Sequence, residues 1–178
     1  MSANSASHFT RTWSIAQSLL QELETQAPVT RRFLERLPGD KLIWQPHPKS
    51  LTAGQLALHL ASVPGGIARL VQNNPAQAQA AFVFPQPATL AEILAQLDES
   101  LEAARAVLPT FDDAAMNETW HLMAGEKVMF TAQRVTFLRN VMLNHWYQHR
   151  GQFSVYLRLL DRPVPASWGP SADEPALR

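Results

Sequence analysis

Three histidines carry most of the chemistry open to this sequence. His145 and His149 lie four residues apart in Thr131 to Leu160, TAQRVTFLRNVMLNHWYQHRGQFSVYLRLL, a stretch that reads as one long helix. That spacing sets both imidazoles on successive turns of one face, where they can bind a single metal ion. Leu138, Val141, Met142, Gln152, Phe153 and Tyr156 recur on the same face, so the stripe is expected to be buried. His59 is in phase with Leu56, Leu60 and Val63 on a different helix and supplies a third imidazole.

A lone H-x-x-x-H also suits two core histidines satisfied by carbonyls or carboxylates. Three buried imidazoles on one seam need partners for both nitrogens of each ring, and a shared divalent cation meets that need. Three protein ligands leave a coordination position for water or substrate, as in catalytic rather than structural zinc sites. His47 and His121 are the candidates for a fourth ligand that would close the site.

Composition narrows the choices. With 178 residues, 46% of them hydrophobic, the chain is expected to form a single domain over 1–178. Fifteen basic and fifteen acidic residues cancel without forming runs, which argues against nucleic acid as a partner. There is no cysteine, so disulfides, thiolate ligands and a cysteine nucleophile are excluded. MSANSASHFTRTW lacks the pattern of an export signal and no apolar run approaches ~18 residues, so a cytoplasmic protein with no membrane span is expected. No glycine-rich phosphate loop or G-x-S-x-G elbow is present. Glu118-x-x-His121 has the spacing of di-iron bundles, but those need two copies and there is one.

The elements that must position the histidines follow from apolar periodicity. Helix 1 is expected from about Phe9 to Leu37, with a kink or short break near Gln26 caused by Pro28. KLIWQPHPKS is a loop packed through Ile43 and Trp44. Helix 2 opens at the capping box Thr52/Gln55 and is expected to kink or break at Pro64-Gly65-Gly66. Ala76 to Ala88 is a connection anchored by Phe82-Val83-Phe84, and Thr89/Glu92 opens helix 3, which runs to about Leu108. Thr119–Leu122 and Lys127–Phe130 flank Ala124-Gly125 as a small hairpin, and helix 4 follows. The fold class is therefore all-α, a four-helix bundle with long connections, a hairpin before helix 4 and an irregular tail over about 161–178.

The chain resembles the DinB-like superfamily over nearly its whole length. The likeness rests on the Trp44 loop leading to His59, on Asn144-His145-Trp146-x-x-His149-Arg150-Gly151-Gln152, and on Val164-Pro165 to Gly169-Pro170-Ser171-Ala172-Asp173-Glu174. It implies a four-helix bundle with His59, His145 and His149 as ligands, commonly of zinc or nickel, and a homodimer through bundle faces. Relatives include thiol-dependent transferases and an isomerase using low-molecular-weight thiols. Substrate does not transfer with fold.

Two function classes stay open. One is a metal-dependent enzyme, a thiol-dependent S-transferase or a hydrolase, acting on a small electrophile. With no cysteine in the chain, any thiol arrives as a cosubstrate. The other is a non-catalytic bundle in which the ion staples helices 2 and 4. Gln148 and Gln152 are candidates to orient ligands or cosubstrate, with surface packing the alternative for Gln148, and Arg150 reads as a structural ion pair or a substrate clamp.

Overall fold

The computed structural model describes residues 13–78 and 83–175. The chain is mostly helical with a small three-stranded sheet. Helix α1 (Ile15–Glu35) starts at a capping box formed by Ser14 and Gln17 and runs without a break through Pro28. The part of the expected helix before Ser14 falls largely outside the described residues. Proline removes one donor only, and the turns on both sides are held by buried Leu23, Ala27 and Leu34.

Helix α2 (Ala53–Leu70) begins at the expected Thr52/Gln55 box. It too continues where a break was expected. Pro64 leaves the Leu60 carbonyl without its usual intrahelical donor, and the Trp146 indole N–H fills it at 2.8 Å. The Gly65 N–H donates to Ser100 Oγ at 2.7 Å, and a Cβ on Gly65 would lie 2.6 Å from the Ser100 carbonyl oxygen. The glycine thus lets α2 press backbone to backbone on α3 (Leu90–Val107). Propensity costs about 3 kcal/mol for the proline and about 1 for each glycine. Burial of Leu56, Leu60 and Val63, worth roughly 1.5–3 kcal/mol each, is of the same size and offsets it.

Between α1 and α2 the loop is anchored by buried Leu42 and by Trp44, whose ring meets Tyr156 edge-on at 5.7 Å. Ile43, expected to pack, is 76% exposed. The Leu42 and Trp44 carbonyls accept instead from the Gly54 and Ala53 N–H groups, which fixes the loop on the start of α2. In the next connection Val83 is exposed and Phe84 half-buried, while Phe82 lies outside the described residues.

After α3 and the short helix α4 (Asp113–Asn117), β2 (Thr119–Ala124) and β3 (Lys127–Gln133) form the expected hairpin around Gly125 at φ 60. A third strand, β1 (Ala76–Gln77), pairs parallel to β2, an addition the two-residue length concealed. Thr131 to Gln133 belong to β3 rather than to the last helix, since Thr119 pairs with Gln133 and the Glu118 carbonyl accepts from the Arg134 N–H.

The last helix is continuous but not uniform. It comprises α5 (Arg134–Phe137), a π segment (Leu138–Asn144) and α6 (His145–Leu159). α1 packs on α3 and α6, and α2 packs on α3, the π segment and α6. The described residues beyond Leu160 form no helix or strand, yet Asp173 pairs with Arg158, and Glu174 with Arg32 and Arg36. No helix among the described residues is long and apolar enough to cross a membrane.

Candidate metal centre

α2 and α6 bring His59, His145 and His149 to one point. Their ligand atoms all lie within 4.8 Å of one another, and each residue is half-buried. Nε2 of His149 is 2.7 Å from Nε2 of His145. The His59 ring meets those of His149 and His145 edge-on, at centroid distances of 4.7 and 5.2 Å.

The register of the two helices is fixed by the Trp146 indole bond to the Leu60 carbonyl, which joins the neighbour of His145 to the neighbour of His59. On the outer side, Phe84 packs edge-on against His59 at 5.3 Å. Its carbonyl accepts from Gln55 Nε2 at 2.9 Å, so the start of α2 holds the connection over the histidine.

The π segment orients His145. The His145 backbone N–H donates to Asn140, five residues back, instead of to Val141. The buried His145 Nδ1 has no hydrogen-bond partner among the described residues. His149 Nδ1 is 2.9 Å from Gln152 Oε1. A proton on each Nδ1 leaves an Nε2 lone pair on each ring. Two lone pairs meeting at 2.7 Å are stable only with an electrophile between them, a proton or a metal ion, so the donor set fits a divalent ion. The electrostatics agree. Burial first, then the neighbouring His149 and His145, lowers the His59 pKa to about 4. Burial and His149 also lower that of His145. Both are neutral at pH 7, the form that binds metal.

The other sequence candidates fall elsewhere. His47 Nδ1 accepts from the Lys49 N–H in an exposed loop, and His121 Nδ1 pairs with Thr131 Oγ1 across the hairpin. Neither joins the group, which among the described residues has no fourth histidine, aspartate or glutamate. Gln152 is exposed rather than part of the buried stripe, but it holds His149 as a ligand-orienting residue should; Gln148 is simply exposed. The deepest positions of α6 are Trp146, Arg150, Phe153, Tyr156 and Leu157, so the histidines border the buried stripe instead of centring it. Arg150 forms no ion pair among the described residues. It is buried against Gln26 Oε1 at 2.8 Å and Thr30 Oγ1 at 3.3 Å, both neutral.

Similarity to known proteins follows this architecture. A DinB-like protein of Bacillus cereus superposes with a TM-score of 0.65 at 21% identity, covering 84% of this chain and 95% of its own. A DinB-like protein of Bacillus subtilis gives 0.63 at 16% identity, covering 83% and 95%. No curated protein matches the sequence. The profile of the DinB superfamily matches residues 22–153, a span that contains all three histidines, and the chain belongs to that superfamily.

Proposed function

We propose that this protein is a metal-dependent enzyme that holds one divalent ion, zinc or nickel, through His59, His145 and His149, in a four-helix bundle of α1, α2, α3 and the last helix. The observation that carries this reading is the approach of His145 and His149 Nε2 to 2.7 Å beside the His59 ring. When bound, such an ion supplies Lewis acidity that brings the pKa of water or a small thiol toward neutrality.

The chain's own groups prepare the site. Gln152 fixes the rotation of His149. Phe84 shields one edge of His59 from water. The sequence contains no cysteine, so a thiol acting here enters as a cosubstrate against a small electrophile. The group holds no fourth histidine, aspartate or glutamate among the described residues, which supports an exchangeable position over a closed structural staple.

The test is turnover of a chloronitrobenzene acceptor by metal-loaded protein with glutathione, bacillithiol, mycothiol or cysteine, compared with His145→Ala. Thiol-dependent turnover lost in the variant supports the transferase. Turnover that needs metal but no thiol moves the assignment to hydrolysis. No difference from the variant across a broad acceptor panel leaves the non-catalytic staple.

A further inference from the structure

We infer that the cavity between α6, the end of α1 and the C-terminal tail is a second small-molecule site, one that takes a small aromatic carboxylate. Its volume is about 330 Å³, and Phe33, Tyr147, Arg150, Ser154, Ser167 and Trp168 are among its walls. At 100° per residue, Tyr147, Arg150 and Ser154 lie round α6 from His145 and His149, so this cavity is separate from the histidine cluster.

Charge carries the argument. Arg150 is 2% exposed, yet every group it touches is neutral. Its guanidinium donates to Gln26 Oε1 at 2.8 Å, Thr30 Oγ1 at 3.3 Å and the Gln26 carbonyl at 3.4 Å. It also lies 5.2 Å from the Tyr147 ring centre and 5.9 Å from that of Trp168. Carboxylates on the surrounding elements are taken. Glu22 accepts from the Tyr147 hydroxyl and from Arg139, and Glu174 pairs with Arg32 and Arg36. A buried cation without a counter-charge is costly, and the planar fork of a guanidinium is best matched by a carboxylate.

The aromatic half of the ligand follows from the two rings beside the guanidinium. Trp168 stands edge-on to Tyr147 at 5.4 Å and is 68% exposed, an unusually large apolar surface to leave in water beside a cavity. A planar ring against Tyr147 and Trp168, with its carboxylate toward Arg150, covers that surface and supplies the missing charge. The volume sits at the small end of the ~300–1,000 Å³ range of ligand pockets, which favours a compact acid over a nucleotide or a peptide.

The probe is benzoate, titrated calorimetrically into the full chain beside its neutral isostere benzamide. One benzoate per chain is expected, with benzamide weaker by about tenfold or more, the usual worth of a charge-assisted pair. Binding is expected to be unchanged by a chelator and in His145→Ala. Trp168→Ala removes an exposed ring and should weaken benzoate by about tenfold without shifting the melting temperature. Arg150→Lys keeps the charge but loses the fork, and should weaken benzoate further; if that variant does not fold, Trp168→Ala decides. Equal binding of benzoate and benzamide, no binding at millimolar benzoate, or binding abolished by the chelator would each overturn the assignment, the last by placing the carboxylate on the histidine-held ion instead.

Discussion

The two sides of α6 bury opposite kinds of polar group. Toward α2, His145 and His149 converge with His59, and the ligand atoms of the three imidazoles lie within 4.8 Å of one another. Toward α1 and the tail, Arg150 is a buried cation surrounded by amide, hydroxyl and aromatic groups. One side gathers groups that can donate electron pairs to a cation, and the other presents a fixed positive charge. Their response to pH separates them. Burial lowers the His59 pKa to about 4 and lowers that of His145, so both are uncharged near neutrality, whereas burial lowers the Arg150 pKa only to about 10 and the guanidinium keeps its charge throughout the physiological range.

The largest effect expected is on metal content. His145→Ala should lower divalent-ion affinity by more than about a hundredfold, because loss of a ligand exceeds the 10–100-fold typical of losing a ligand's supporting partner. The triple variant at His59, His145 and His149 should bind none, while Arg150→Lys should bind as the wild type does. Elemental analysis of the purified proteins checks this, and a stoichiometric ion in the triple variant would break the comparison at its first side.

Lowering the pH comes next. The folded chain holds His59 neutral down to about 4, against an ordinary value of 6.5. Below 6.5 the unfolded state therefore binds more protons, and stability present above that pH is lost as pH falls toward 4. The metal-free protein should lose stability across this window, with His145 adding in the same direction. Protons also compete with the ion for the same lone pairs, so metal release should occur in the same window. Urea unfolding across pH 4–7 measures the first and ion retention the second; a flat stability profile would mean the imidazoles are not desolvated.

Arg150→Ala should cost about 3 kcal/mol in urea unfolding, since it leaves the buried Gln26 and Thr30 oxygens without a donor and opens a void. Replacing the pair, Arg150→Met with Gln26→Leu, should recover to within about 1 kcal/mol of wild type, as apolar substitutes for buried polar groups often do. If both variants lose the same amount, the guanidinium stabilises through its contacts to Gln26 and Thr30 and not through its bulk.

Much of this was legible in the sequence, and the failures share a cause. Capping boxes placed α2 and α3, and helical phase paired His145 with His149 and set His59 on the facing helix, because i, i+4 geometry is local. Phase alone misjudged depth. It centred the stripe on the histidines, whereas the structure buries Trp146, Arg150 and Leu157 more deeply, and the π segment shifts the register just before His145. Pro64 was expected to kink or break α2 before it resumed, but α2 runs through it, and the Leu60 carbonyl it leaves open accepts from Trp146, 82 positions along the chain. Arg150 looked like half of an ion pair, since nothing local shows that its partners are a glutamine and a threonine on α1. Strand β1 is two residues long and exists through pairing with β2, so no periodicity could announce it.

The smallest expected effect is the sharpest test of how the histidine side is tuned. Gln152 is exposed and its carbonyl oxygen holds His149 Nδ1 at 2.9 Å. Gln152→Ala should leave folding stability unchanged within about 0.5 kcal/mol, as for an exposed position without a cap or buried partner. Metal affinity should nonetheless fall about tenfold, because an imidazole freed to rotate and exchange its tautomer spends less time with Nε2 directed at its partners. Gln152→Glu keeps the acceptor and adds negative charge, which raises the basicity of His149, so it should restore or exceed wild-type affinity. Competition with a metal-sensitive dye resolves differences of that size. Equal affinity in all three proteins would show that the His149 ring is set by packing against His59 and His145, and that the glutamine is only a surface residue of α6.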